Sequence, residues 1–127
     1  WSIRYQEQIA PVLTVVTYGL MRQVVESVLT REGIKRVEVI DLCTLSQIPV
    51  YLGISQWPNT PKLLIVEPDV TYGGIGAEIA AQVAEALPGT IIRRLGGPRE
   101  VIPASREGQA RMMPRRAQIL EAIRGLL

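Results

Sequence analysis

Four short apolar runs, separated by segments of helix length, decide what this chain can fold into. Residues 12–18, Val-Leu-Thr-Val-Val-Thr-Tyr, are β-branched and apolar on both alternating faces, as a strand covered on both sides must be. Gly19 breaks that run. Leu20, Val24, Val25, Val28 and Leu29 then recur at helical spacing, with Arg22, Gln23, Glu26 and Arg31 opposite, and Gly33 supplies a stop. Lys35 and Arg36 introduce a second strand over 37–42. A helix between two strands is the crossover that makes them parallel neighbours, so local spacing sets strand 12–18 parallel to strand 37–42.

Beyond Thr44 the pattern weakens. Gly53 and the run from Trp57 to Pro61 favour an irregular, turn-rich connection, with Ile48, Tyr51, Leu52 and Ile54 as candidates for a short helix after Pro49. Lys62 to Glu67 form a third strand around four consecutive large apolar residues. The segment 73–87 is helical: Ile75, Ile79, Val83 and Leu87 make one stripe, Gly76, Ala77, Ala80, Ala81 and Ala84 keep the rest thin, and Pro88-Gly89 closes it. Thr90 to Leu95 is a fourth strand, partly polar and so nearer an edge. Gly96-Gly97-Pro98 ends that strand, and Pro103-Ala104-Ser105 is a further loop. Pro114 opens a last helix that buries Ile119, Leu120, Ile123 and Leu126 or Leu127 and wets Arg115, Arg116, Gln118, Glu121 and Arg124. This alternation implies a mostly parallel sheet with helices on both faces, and 127 residues suffice for one such core.

Several function classes are excluded by what is missing. There is no histidine, hence no Ser-His-Asp or Cys-His machinery and no imidazole zinc ligand. The single cysteine, Cys43, forms no internal disulfide, which fits a reducing cytoplasm, and its apolar surroundings in sequence suggest a small core residue. The longest strongly apolar run, Leu63 to Val66, falls far short of the roughly 20 residues that span a bilayer, so no membrane segment is expected. The polar opening from Trp1 to Glu7 does not read as a signal peptide, and the missing Met suggests trimming or excision from something longer. Residues 1–90 carry 6 basic and 9 acidic side chains, residues 91–127 carry 8 and 3, and every base of the second part is arginine. Without an aromatic residue there, and with a net charge of only +2, nucleic acid is not the expected partner.

Candidate chemistry is sparse. The glycines at 73, 74 and 76 invite a phosphate-binding reading, yet Gly74-Ile75-Gly76 matches only the first two glycines of Gly-x-Gly-x-x-Gly, and Glu67, Asp69 and Glu78 repel phosphate. A tight turn with close helix packing accounts for the glycines. The same three carboxylates, and Asp41, are assigned to helix capping and ion pairing, because no histidine or second carboxylate motif joins them.

Taken in order, residues 17–19 (Thr-Tyr-Gly), 37–45 (Val-Glu-Val-Ile-Asp-Leu-Cys-Thr-Leu), 63–67 (Leu-Leu-Ile-Val-Glu) and 73–79 (Gly-Gly-Ile-Gly-Ala-Glu-Ile) resemble the carboxyl-terminal domain of transketolase-like enzymes. Within that superfamily the resemblance is to the beta subunit of the decarboxylating component of pyruvate and branched-chain 2-oxo acid dehydrogenases. Arg94, Gly96, Pro103 and Pro114 also fall in familiar places, so the resemblance spans about residues 12–127.

The resemblance implies a three-layer α/β/α sandwich with a mostly parallel sheet of about five strands, one antiparallel. It makes strand 12–18 the antiparallel one, against the local crossover argument, and the family arrangement is taken as the expectation. Residues 1–11 are then a linker or tail and 12–127 the domain. The implied function is non-catalytic assembly or dimerisation within a beta subunit or transketolase that uses thiamine diphosphate and Mg bound elsewhere. Implied partners are the pyrimidine-binding domain, the alpha subunit and the acyltransferase core, in the cytoplasm. A dimer interface is expected at Ile75, Ile79, Ala80, Val83 and Ala84, and docking of an acidic partner at Arg111, Arg115 and Arg116. The alternative is a free-standing domain that binds a small anionic metabolite at the carboxyl ends of its strands.

Overall fold

The computed structural model describes residues 2–4, 10–46 and 60–127. Its elements are β1 (Ser2–Arg4), β2 (Leu13–Thr17), α1 (Leu20–Arg31), β3 (Val37–Asp41), β4 (Lys62–Val70), α2 (Ile75–Ala86), β5 (Ile91–Gly97), α3 (Arg106–Arg111) and α4 (Arg116–Arg124). The strands form one sheet in the order β1-β3-β2-β4-β5. The irregular connection expected over 44–61, with its candidate short helix, lies largely outside the described residues.

Strands β2, β3, β4 and β5 are mutually parallel, and β1 alone is antiparallel, with Ser2 opposite Asp41 and Arg4 opposite Val39. The expectation of an antiparallel strand at 12–18 is therefore corrected. Helix α1 carries the chain from the carboxyl end of β2 back to the amino end of β3, so the two strands must run the same way. The antiparallel strand is instead residues 2–4, within the stretch expected to be a linker or tail. β5 occupies an edge, as its polar content suggests.

The alternation of side chains along the strands builds two cores. On one face Leu13, Val15, Val37, Val39, Leu64 and Val66 meet Met21, Val25, Val28 and Leu29 of α1 and Ile119 and Ile123 of α4. On the other, Val16, Ile40, Leu63 and Ile65 meet Ile79 and Val83 of α2. This is the three-layer α/β/α arrangement. Connections from β2 to β3 and from β4 to β5 step in opposite directions along the sheet, which puts their helices on opposite faces.

Local signals explain the boundaries. Gly33 has φ 60°, and the bonds from Gly33 N–H to Thr30 O and from Ile34 N–H to Leu29 O close α1 with a left-handed glycine. Met21 replaces Leu20 in the buried stripe of α1, because Leu20 is the first helical residue and stands 52% exposed. Six residues after the Pro103 loop form α3, whose start is capped by Ser105 Oγ accepting from Gly108 N–H at 3.1 Å. Cys43 is exposed, a correction of its expected core position: β3 ends at Asp41, Leu42 is the last buried residue, and the chain then leaves the sheet.

Candidate functional site

The parallel strands all end at one edge of the sheet, and the chain changes direction between β2 and β4, the place where open α/β sheets characteristically form a crevice. Glu67 stands there, fully buried on the α2 face of β4. Its Oε2 accepts a hydrogen bond from the Gly76 N–H at 2.9 Å, so a strand carboxylate caps a helix whose own N-cap, Gly74, has no side chain to offer. The glycines make room for it. A Cβ at Gly76 would lie 2.6 Å from Glu67 Oε1, one at Gly74 2.7 Å from Oε2, and one at Gly96 2.9 Å from Cγ. The close packing expected of this helix is real, and the capping assigned to Glu67 is too; Gly76 approaches the carboxylate itself, while at Gly74 and Gly96 the backbone carbonyls of Val70 and Asp69 lie nearer still.

Electrostatics around Glu67 pull both ways. Burial raises its carboxyl above the ordinary value, an effect that Asp69 adds to and that the Gly76 N–H and Arg94 oppose. Its second oxygen, Oε1, is buried without a hydrogen-bond partner. Arg94 is held in place by donating to Thr71 O at 2.5 Å. Tyr18, at the end of β2, is pushed up to about 12, first by burial and then by Glu67 and Asp69. Such a site can accept protons and hydrogen bonds, and it disfavours an anion, because a carboxylate already occupies the amino end of α2. Asp41, at the end of β3, meets Arg22 of α1 at 3.6 Å, in keeping with ion pairing. Asp69 Oδ1 accepts from the Val70 N–H at 2.7 Å, and Glu78 Oε1 accepts from Gln82 at 2.6 Å. Among the described residues no group of His, Cys, Asp and Glu is arranged to hold a metal ion.

A second buried carboxylate escapes the sequence argument. Glu38 of β3 accepts from Thr14 Oγ1 at 3.2 Å, and Thr14 in turn shares a hydrogen bond of 2.9 Å with Thr60. Burial raises the Glu38 carboxyl and the Thr14 bond opposes the shift. The available signal was a glutamate inside a strand apolar on both faces, opposite a threonine on the neighbouring strand.

The expected interface residues on α2 divide. Ile79 and Val83 are buried in this chain's own core, so they are corrected from interface to core, and Ile75 and Ala80 pack partly against the same cluster. Ala84 is exposed on the outer surface. Arg111, Arg115 and Arg116 are all exposed, at the end of α3 and the start of α4, where the backbone N–H of Arg115 donates to Gln118 Oε1 at 2.9 Å.

Residues 4–119 match the family model of the transketolase C-terminal domain. The beta subunit of acetoin:2,6-dichlorophenolindophenol oxidoreductase from Cupriavidus necator is 32% identical over 118 residues, which cover 88% of this chain and 35% of that protein. The pyruvate dehydrogenase E1 component subunit beta of Gracilaria tenuistipitata is 40% identical over 74 residues, covering 56% of this chain and 23% of that protein. The chain thus spans about a third or less of these relatives. A split gene transketolase, described as an inactive beta4 tetramer, shares the fold with a TM-score of 0.74 at 21% identity, over 94% of this chain and 40% of that one. The 2-oxoglutarate:ferredoxin oxidoreductase from Magnetococcus marinus does so with a TM-score of 0.64 at 18% identity, over 98% of this chain and 19% of that one. With the family model matched over residues 4–119, nearly the whole chain, the chain belongs to the transketolase C-terminal domain family.

Proposed function

We propose that this domain performs no chemistry of its own and serves in the assembly of a thiamine-diphosphate-dependent beta subunit of the pyruvate dehydrogenase or related 2-oxo acid dehydrogenase type. The observation that carries the reading is the match over residues 4–119 together with relatives that are themselves named beta subunits. The chemistry of the domain supports it: the chain has no histidine, and its one buried edge carboxylate is spent on capping α2. Thiamine diphosphate does not fit the amino end of α2, because Glu67 fills the anion position there and Asp69 adds negative charge beside it, and among the described residues no group of carboxylates is arranged to hold Mg. They belong to the remainder of the parent enzyme, with the pyrimidine-binding domain, the alpha subunit and the acyltransferase core as partners in the cytoplasm.

Self-association is the part of this reading that the chain itself can reveal. The split transketolase whose fold it shares is described as a tetramer of beta chains. The surface offered for contact is the outer side of α2 around Ala84, with Arg111, Arg115 and Arg116 available to an acidic partner. Sedimentation equilibrium of the 127-residue chain should show a concentration-dependent dimer without enzymatic turnover. Ala84→Arg should weaken that dimer at unchanged unfolding temperature, since Ala84 is exposed; Ala80 is the poorer probe, because it packs on the core. A monomer at every concentration sinks the self-association.

A further inference from the structure

Thr14 and Glu38 lie toward the amino end of the sheet on its α2 face, where Thr60 joins them, and the site at the carboxyl edge makes no use of the three. They are 0%, 2% and 7% exposed. Three hydrogen bonds set them in a row: Thr14 Oγ1 lies 3.2 Å from Glu38 Oε2 and 2.9 Å from Thr60 Oγ1, and Thr60 Oγ1 lies 3.2 Å from Lys62 O. A hydroxyl has one proton to donate, a carbonyl none, and a glutamate one only when it is protonated. With Glu38 ionised, two protons must serve three bonds. Thr14 then gives its proton to the carboxylate, the stronger acceptor because it is charged, and Thr60 serves either Thr14 or Lys62 O. With Glu38 protonated the count closes: the carboxyl donates to Thr14, Thr14 to Thr60, and Thr60 to Lys62 O.

The charged groups on the neighbouring elements are engaged elsewhere. Lys62 of β4 sends its ammonium to Leu126 O, beside α4 on the other face. On α2, Glu78 accepts from Gln82 and Glu85 is exposed. Lys35 and Arg36, ahead of β3, are exposed, and Arg36 Nε donates to Ala10 O at 3.3 Å. Asp41 of β3 meets Arg22 on the α1 side, and in β1 the register sets Arg4 opposite Val39, a residue of that same side. Tyr18, Glu67, Asp69 and Arg94 gather at the opposite end of the sheet. Burial and the Thr14 bond are the influences on the Glu38 carboxyl. A lone charge in such surroundings is costly, so a proton taken up by Glu38 both removes the charge and completes the row.

Thr60 is the residue this governs. It and Pro61 bring the chain into β4, and Pro61 O accepts the Ile91 N–H at 2.7 Å. We infer that Glu38, Thr14 and Thr60 form a proton-fed clasp: protonated Glu38 starts a one-way row of hydrogen bonds that pins Thr60 between β2 and Lys62 O, and loss of the proton removes one of the two bonds that Thr60 makes. The entry of β4 is therefore held more firmly in acid than in alkali. Because the fold favours the protonated form, the clasp is complete below the ordinary glutamate value and is lost as pH rises through the higher value that Glu38 has in the fold. The clasp concerns this chain alone and does not depend on the assembly reading.

The test is an NMR titration of the Glu38 side-chain carboxyl carbon in the 127-residue chain, beside hydrogen exchange of the Ile91 amide. In the unaltered chain Glu38 should ionise above the ordinary 4.5, and protection of Ile91, corrected for intrinsic exchange, should fall across the same range. Thr60→Val separates the clasp from burial alone. It removes the acceptor for the Thr14 proton in the protonated form, while in the ionised form Thr14 still serves the carboxylate, so the midpoint of Glu38 should move down by about half to one pH unit. Burial alone requires the opposite, because a more apolar neighbour leaves the midpoint in place or raises it. Glu38→Gln, whose amide donates to Thr14 at every pH, should hold the protection of Ile91 constant. An ordinary midpoint in the unaltered chain overturns the clasp without any variant. A midpoint that Thr60→Val leaves unchanged or raises, or Ile91 protection indifferent to the ionisation of Glu38, overturns it as well.

Discussion

On the face covered by α1 and α4, β2 contributes Leu13 and Val15, β3 contributes Val37 and Val39, and β4 contributes Leu64 and Val66. On the α2 face the intervening positions are Thr14 and Val16, Glu38 and Ile40, and Leu63, Ile65 and Glu67, with both carboxylates buried. The same strands thus present on one side a layer aliphatic over most of its length, with Thr17 and Asp41 at its carboxyl end, and on the other an aliphatic centre with a fully buried carboxylate toward each end. A two-residue period allows this, since neighbouring residues answer to different surroundings. The aliphatic stretch of the first needs only volume and shape, and the charged pair of Asp41 with Arg22 lies at its rim. The other needs named partners: Thr14 for Glu38, the Gly76 N–H for Glu67, and glycines where Glu67 presses against the backbone. Sequence is therefore more narrowly prescribed on the α2 face, although the α1 and α4 face contains more of the hydrophobic core.

The largest effect is expected on the aliphatic side. Ile119 of α4 is fully buried, and Ile119→Ala should lower the unfolding free energy by about 2–5 kcal/mol in urea titrations, through lost transfer energy and a residual cavity. A loss below that range would show that α4 settles onto the sheet and that this layer is less tightly packed than the contrast requires. Gly76→Ala probes the other side with one added carbon. Its Cβ would stand 2.6 Å from Glu67 Oε1, so the fully buried carboxylate must shift, at a cost of about 1–3 kcal/mol. Repeating Gly76→Ala in a Glu67→Ala background should recover most of that cost, because the clash and the cap vanish together. Equal costs in both backgrounds would mean that the glycine serves the turn and not the carboxylate.

What the amino-acid sequence made legible follows the same division. Apolar periodicity located α1, α2, α4 and four parallel strands, because burial of an aliphatic stripe is written directly into spacing. Parallel pairing of β2 and β3 is legible from the helix between them; the family's antiparallel first strand is present as residues 2–4, and only its placement at 12–18 fails. Residues 2–4 were not legible as a strand, since three residues carry no period. At the edge, Gly74, Gly76 and Glu67 all stood in view, but their contact joins β4 to α2 and β5 across the fold, and no one-dimensional pattern records that. Ile79 and Val83 were misread as interface for a related reason: a stripe opposite alanines declares that it is buried, without declaring against what. Cys43 lies only two residues past the end of β3, where apolar sequence continues after the sheet has stopped.

The smallest and most specific effect concerns pH. In the unfolded chain Glu67 titrates near the ordinary value of 4.5, and in the fold burial raises it. Between those two values the native state holds a proton that the unfolded state has released, so stability falls as pH rises through the window, and the full penalty persists above it. Glu67→Gln removes the titration while its side-chain oxygen still accepts from Gly76. The difference in unfolding temperature between Glu67→Gln and the unaltered chain should therefore move in favour of the variant as pH is raised from about 4.5 toward neutrality, then level off. Glu38 is raised for the same reason, so the variant retains a weaker slope of the same sign, and adding Glu38→Gln should flatten it further. The amplitude is modest because the Gly76 N–H and Arg94 already offset part of the burial. Parallel curves for variant and unaltered chain would mean that Glu67 keeps its ordinary titration in the fold, and the contrast between the two faces would then be one of shape alone.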